Sequence, residues 1–321
     1  MYRPVFLQNL CTYAKWGGTN VTTMFNIDSP YKKTGEVWTV SALSKGETPI
    51  CIRYGDHDLE EKLSQYYTED TEKIFFGYDC RKYQEFPLLA KWIDANDNLS
   101  VQVHPGDEYA RINENSYGKS EAWYIVSAKP GAQIIYGLKE GTTKEMLEKA
   151  ITENKIKDVL NFIPVNKGQI YYIPSGMVHA LLDGVIVYEI QQSSDITYRL
   201  YDWDRNDPNR PLDLKKALDV IDFERNDENI NTSHDLSKLT TPYFSFNTRK
   251  ITGYKNIYTS GSSFKICSVL KGSLYITYGS EKNKSLVKAG QSFILPASTY
   301  SKYMYGYSVN GNAFILESTC K

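Results

Sequence analysis

Alternation of apolar and polar positions, the period-two signature of strands, recurs along most of the chain. In Leu99-Ser-Val-Gln-Val-His-Pro105, Val101 and Val103 face one way while Gln102 and His104 face the other. Lys119-Ser-Glu-Ala-Trp-Tyr-Ile-Val126, Gln169 to Ile173 and Gly184-Val-Ile-Val-Tyr-Glu-Ile-Gln-Gln192 are further runs rich in β-branched and aromatic residues. Gly35-Glu-Val-Trp-Thr-Val-Ser41 and Phe86-Pro-Leu-Leu-Ala-Lys-Trp-Ile93 read the same way. Helical spacing is confined to a few places. Leu59, Leu63, Tyr66 and Ile74 predict short helices over 58–84, broken at Gly77. Thr142 with Glu145 three residues on predicts a capping box opening a helix through Met146, Leu147, Ala150 and Ile151; a further helical turn at Ile156, Val159 and Leu160 stops before Pro164. Residues 205–240, repetitive in Asp, Asn and Arg, read as a linker with one short helix near Leu212 to Val220.

From Tyr243 the pattern is strand-like again, with turn signals at Gly261, Gly272, Gly279, Gly290 and Gly306. The two strand-rich regions share a unit: Gly168-Gln169 precedes Ile173-Pro174, and Gly290-Gln291 precedes Leu295-Pro296. Where the first copy continues to His179, the second has Ser301. This predicts a mainly β protein of two small barrels or jelly rolls. The first, residues 1–240, carries the helical segment near 142–161 and the linker 205–240; the second, residues 241–321, is smaller and lacks the ligand.

Composition narrows the function. With 321 residues and a formal net charge of -1, the chain has ample material for a core and no global basic field for nucleic acid or an anionic membrane. Any anionic ligand must be caught by local charges. The 26 tyrosines suit half-buried strands. Five scattered cysteines without a Cys-x-x-Cys pair argue against a disulfide framework and a thiolate zinc site. With no apolar run of spanning length and no leader pattern, the expected setting is cytoplasmic.

Of the four histidines, His57 and His234 lie in polar stretches and are expected at the surface, whereas His104 and His179 each adjoin a strand end and a turn. Gln102, His104, Glu121 and His179 form a plausible N/O set for one divalent metal with positions left open for substrate. The competing reading is a solvated sheet face without metal. Lys91, Lys119, Asp195 and Arg199 stand nearby in sequence as candidates for proton transfer or anion capture. Asp195 and Arg199 could equally form a local ion pair of little worth.

Taken together, Tyr13-Ala-Lys-Trp-Gly-Gly18, Gly35-Glu-Val-Trp38, Phe86-Pro-Leu-Leu-Ala-Lys91, Ser100-Val-Gln-Val-His-Pro105, Gly118-Lys-Ser-Glu121, Tyr172-Ile-Pro-Ser-Gly-Met-Val-His-Ala180 and Gln191-Gln-Ser-Ser-Asp-Ile-Thr-Tyr-Arg199 resemble the type I mannose-6-phosphate isomerases. These are zinc-dependent enzymes of the cupin superfamily, here in the short bacterial form. The resemblance implies two cupin-like domains, one Zn²⁺ per chain on Gln102, His104, Glu121 and His179, and Lys91, Lys119, Asp195 and Arg199 in the active site. It also implies interconversion of mannose 6-phosphate and fructose 6-phosphate through a cis-enediol, with a sugar phosphate as partner and a monomer or weak homodimer as the assembly. Longer members carry His, Tyr and an acidic residue where this chain has Gly118, Leu181 and Thr39. A sugar-phosphate sensor without turnover, or an oxygenase on the same fold, are the alternatives.

Overall fold

The strands Leu88–Ala95 and Val185–Gln192 are buried along their whole length, the mark of a sheet covered on both faces. In a computed structural model describing residues 3–54, 57–68, 75–205, 207–224, 237–277, 284–297 and 306–321, they lie in the middle of a six-stranded antiparallel sheet. Its order is Ile170–Ile173, Glu121–Ala128, Val185–Gln192, Leu88–Ala95, Thr34–Val40, Leu10–Gly18.

Alternation along these strands assigns each side chain to a layer. Ala90, Trp92, Ala122, Tyr124, Tyr188 and Ile190 join a core with Phe244, Phe246, Ile266, Ile294 and Leu316 of a nine-stranded sheet behind. Ile93, Ala95, Trp123, Ile125, Val185 and Val187 point forward and pack with Ile134, Tyr136 and Leu181 of a five-stranded sheet in front. That front sheet runs Leu160–Pro164, Gln133–Leu138, His179–Leu181, Val101–Val103, Tyr198–Tyr201. Its outer face, with Val101, Val103, Val178 and Ala180, is covered by Leu147, Ile156 and Ala217 from the helical segments. Lys91, Glu121 and Glu189 share the forward face of the central sheet, so they are buried between two layers of strands.

Mainly β structure in two cupin-like units is thus what the chain forms. The Gly-Gln repeat is a structural repeat. Gln169 Oε1 accepts from Asn166 N at 2.6 Å, and Gln291 Oε1 accepts from Lys288 N at 2.9 Å. Both glycines are left-handed, φ 92° at Gly168 and 86° at Gly290, and both donate to a neighbouring strand at 2.8 Å, to Ile125 O and Val269 O. The nine-stranded sheet also takes in Val5–Leu7, Pro49–Tyr54 and His57–Lys62, so chain from both sides of the expected division at residue 240 shares one sheet.

Local expectations needed adjustment. The helix Lys144–Thr152 is capped by Thr143, whose hydroxyl accepts from Met146 N, so the cap lies one residue beyond Thr142. Ile156–Val159 is a 3-10 turn, and Leu160–Pro164 continues as a strand because it pairs with Gln133–Leu138. Within 58–84, His57–Lys62 is a strand rather than helix, followed by the helix Leu63–Thr68. Ile74, His234, Gly279, Ser301 and the middle of the 205–240 linker lie outside the described residues. Among the described residues no helix is long and apolar enough to cross a membrane.

One buried carboxylate ties the central sheet to the helix Asn20–Phe25. Asp94 accepts from Asn20 N at 2.6 Å, Val21 N at 3.2 Å and Asn20 Nδ2 at 3.0 Å. Gly18 permits that approach, since a Cβ there would stand 2.9 Å from Asp94 Oδ2. Asp94→Ala strands these donors and is expected to cost about 1–2 kcal/mol, read as a lowered midpoint in urea at unchanged slope.

Candidate metal centre

Two cross-strand rows face each other between the front and central sheets. In front, His179 is opposite Gln102, and Gln102 is opposite Arg199 on its other side. In the central sheet, Glu189 is opposite Lys91 and Trp123, while Gln191 is opposite Glu121. His104 follows directly on the strand Val101–Val103 and joins the front row. Pairing therefore converges residues from four distant stretches of sequence.

The two imidazoles are oriented by backbone carbonyls, His104 Nδ1 to Ile196 O and His179 Nδ1 to Met177 O, each at 2.8 Å. A carbonyl only accepts, so each Nδ1 carries the hydrogen and each Nε2 presents a lone pair inward. His104 Nε2 lies 3.4 Å from Glu121 Oε2, and His179 Nε2 lies 3.3 Å from Glu121 Oε1. The Trp123 ring stands edge-on to His179 with centroids 5.5 Å apart. Burial, reinforced by the Lys119 ammonium, pushes His104 down to about 3, and burial likewise lowers His179, so both imidazoles are neutral at pH 7. Burial alone would raise the Glu121 carboxyl, but the Lys119 ammonium holds it well below the usual carboxylate range.

These residues fit a metal. His104, Glu121 and His179 bring ligand atoms within 4.8 Å of one another, the one such cluster among the described residues. All three are fully buried, yet neither Glu121 oxygen receives a hydrogen bond. A buried carboxylate without donors is costly unless a cation serves it. Lys119 Nζ supplies part of that charge, 3.1 Å from Glu121 Oε2 and 3.1 Å from His104 Nε2. The Gln102 amide completes the group, its Nε2 at 3.4 Å from His179 Nε2; a half-turn of the amide exchanges nitrogen for oxygen there.

A cavity of about 200 Å³ opens beside the cluster, lined by Lys91, Gln102, Lys119, Arg199, Glu36 and Glu189 among others. A larger one of about 430 Å³, bordered by Gly137–Thr142 and Gly176–Val178, contains none of the cluster residues, so the chemistry selects the smaller. Lys91 lies 3.1 Å from both Glu36 and Glu189. Burial would lower it, but Glu189, Glu36 and Glu121 outweigh that and raise it. Trp38 Nε1 donates to Glu36 at 2.6 Å, and Trp123 Nε1 donates to Glu189 at 2.7 Å. Arg199 differs: its buried Nε has no hydrogen-bond partner, and burial followed by neighbouring Arg210 lowers its pKa. Asp195 does not line the cavity; it is ion-paired with Lys45.

Sequence reasoning passed over Glu36, Glu189, Arg210 and Gln192. A single carboxylate interrupting the apolar run from Val185 to Ile190 was the signal for Glu189. Gln192 accepts from Ser120 N at 2.9 Å, fixing the backbone between Lys119 and Glu121. Gly118 packs so closely that a Cβ would stand 2.5 Å from Asp107 N, which leaves no room for an imidazole there.

Comparisons with known proteins bear on the same residues. Residues 5–157 match the model of the type I phosphomannose isomerase catalytic domain, and residues 235–318 match that of the mannose-6-phosphate isomerase cupin domain. The mannose-6-phosphate isomerase of Streptococcus mutans is 37% identical over 92% of this chain and 93% of its own. ManA of Bacillus subtilis, a mannose-6-phosphate isomerase, is 36% identical over 84% of this chain and 85% of its own. The crystal structure of a Bacillus subtilis mannose 6-phosphate isomerase superposes with a TM-score of 0.86 at 33% identity, covering 99% of each chain.

Proposed function

The chain belongs to the type I phosphomannose isomerase family and acts as a mannose-6-phosphate isomerase; from that premise we propose a zinc-dependent reaction in the cavity beside His104, Glu121 and His179. The observation that carries this reading is the convergence of two inward Nε2 lone pairs on a buried carboxylate without hydrogen-bond donors. Gln102, His104, Glu121 and His179 would hold one Zn²⁺ through three neutral groups and one carboxylate. So bound, the ion would supply Lewis-acid chemistry, polarising the sugar oxygens and stabilising negative charge on them.

The remaining steps belong to side chains. The cavity wall carries Lys91, Lys119, Arg199 and Arg210 against Glu36 and Glu189, a cationic surplus suited to a phosphate dianion. Because Lys91 is already engaged by two carboxylates and Arg210 by Asp202, Arg199 is the group we assign to the anion, and Lys91 to fixing Glu189 and Glu36. In its neutral amine form Lys119 takes the proton from C2 and, as the ammonium so formed, returns it to C1, passing through the cis-enediol, while Asp195, once freed from Lys45, assists the hydroxyl proton in moving from O2 to O1. No proton or electron is lost overall, as an isomerisation requires.

Purified protein should convert mannose 6-phosphate to fructose 6-phosphate in a coupled assay, lose that turnover on chelation and regain it with Zn²⁺. Turnover undiminished after complete demetallation rejects the metal's role, and binding without turnover rejects the isomerase in favour of a sensor.

A further inference from the structure

Two turns meet beside the cavity. Lys45, between the strands Thr34–Val40 and Pro49–Tyr54, is ion-paired with Asp195, between Val185–Gln192 and Tyr198–Tyr201. Gly46 brings Lys45 here: its backbone lies against the Trp38 indole, where a Cβ would stand 2.6 Å from a ring carbon. The same indole donates to Glu36 at 2.6 Å and has Lys91 Nζ 5.9 Å from its ring centroid. Lys45 thus feels Glu36, Lys91, Lys119 and Arg199 on one side, while 57% of its side chain remains open to solvent. Partial burial lowers its pKa; Lys91, Lys119 and Arg199 add to the lowering and Glu36 opposes it.

Partners decide which cations an incoming anion can recruit. Lys91 is held by the buried Glu189 and the half-buried Glu36, Lys119 by Glu121 and His104, and Arg210 faces Asp202 at 3.4 Å. Arg199 keeps an unpartnered Nε, and the single carboxylate on Lys45 is itself 36% exposed. An exposed ion pair is worth little, so Lys45 exchanges Asp195 for a stronger anion at small cost.

We propose that Lys45 is a further substrate-positioning residue, which passes from Asp195 to the phosphate of the entering sugar phosphate and so releases Asp195 toward the hydroxyls of the same molecule. The phosphate lies between Lys45 and Arg199, relieving the crowding of cations there. The proposal rests on reading the cavity as a sugar-phosphate site.

Calorimetric binding of inorganic phosphate to metal-loaded protein tests it without turnover. Lys45→Met should weaken phosphate about tenfold, the scale of a hydrogen bond to a charged group, and Lys45→Arg should restore most of that. Asp195→Asn should tighten phosphate about threefold, the scale of an exposed ion pair, and this gain should vanish in the Lys45→Met background. In the isomerase assay Lys45→Met should raise KM for mannose 6-phosphate by the same factor as it weakens phosphate, with a much smaller change in kcat. Phosphate affinity unmoved by Lys45→Met, or weakened by Asp195→Asn, overturns the proposal. Protein that follows these phosphate dependences yet fails to isomerise mannose 6-phosphate sinks the isomerase reading and leaves the anion exchange standing.

Discussion

Replacing His179 with alanine is expected to strip the bound metal and lower turnover of mannose 6-phosphate by about 10³ or more, several kcal/mol of lost Lewis-acid stabilisation at 1.36 kcal/mol per decade. The imidazole is wholly buried, its Nδ1 fixed on Met177 O and its Nε2 3.3 Å from Glu121. Removing it leaves the Glu121 carboxylate with one imidazole and a lysine. His179 is also registered against Gln102 across the sheet, so the truncation opens space beside that amide. The backbone pairing of His179–Leu181 with its neighbours does not depend on the side chain, so the far-ultraviolet circular dichroism should stay unchanged while metal per chain falls from one toward zero. A variant that keeps a full equivalent of metal and more than a tenth of the activity would show that residue 179 is no ligand.

Much of this site was legible in sequence because strands have a period of two. Once Val101 and Val103 are assigned to an apolar layer, Gln102 must face the other way, and so does His104 one step on. Placing His104 beside Glu121 and His179 needed strand order, which periodicity does not carry: it comes from pairing across sheets between residues separated by tens of positions. The turn repeat at Gly168 and Gly290 was readable because a left-handed glycine followed by a glutamine that caps the turn is a local device. The chain's sharing of one sheet between Val5–Leu7 and Ser292–Leu295 is a long-range pairing with no local mark.

The charges were harder to read. Lys91 stood out in sequence as a candidate for proton transfer or anion capture, yet the buried Glu189 and the half-buried Glu36 hold it at 3.1 Å. Glu36 lies two residues from Trp38, and only the sheet register brings it to Lys91. Asp195 and Arg199 did not pair with each other as the simple alternative supposed: Asp195 pairs with Lys45, and the Arg199 Nε is left without a hydrogen-bond partner. Such partner choices depend on which loops lie side by side.

Lys119→Met is expected to reduce kcat by about 10² to 10⁴, the range of acid-base catalysis, with metal content near one per chain and KM changed much less. Methionine preserves an unbranched apolar stem in a position that is 4% exposed, so packing is largely retained and only the ammonium is lost. Two roles are open to that ammonium, since it lies 3.1 Å from both Glu121 Oε2 and His104 Nε2. As a mere counter-charge for Glu121, its removal would loosen the ligand set and appear as lost metal, with activity restored at saturating Zn²⁺. As the group that carries a proton between C2 and C1, its removal leaves metal in place, and added Zn²⁺ restores nothing. Lys119→Arg separates the two further: a guanidinium keeps the charge beside Glu121 but stays protonated, so it should retain metal and remain as slow as the methionine variant. A Lys119→Met protein with full metal and undiminished kcat would transfer the proton step to another group.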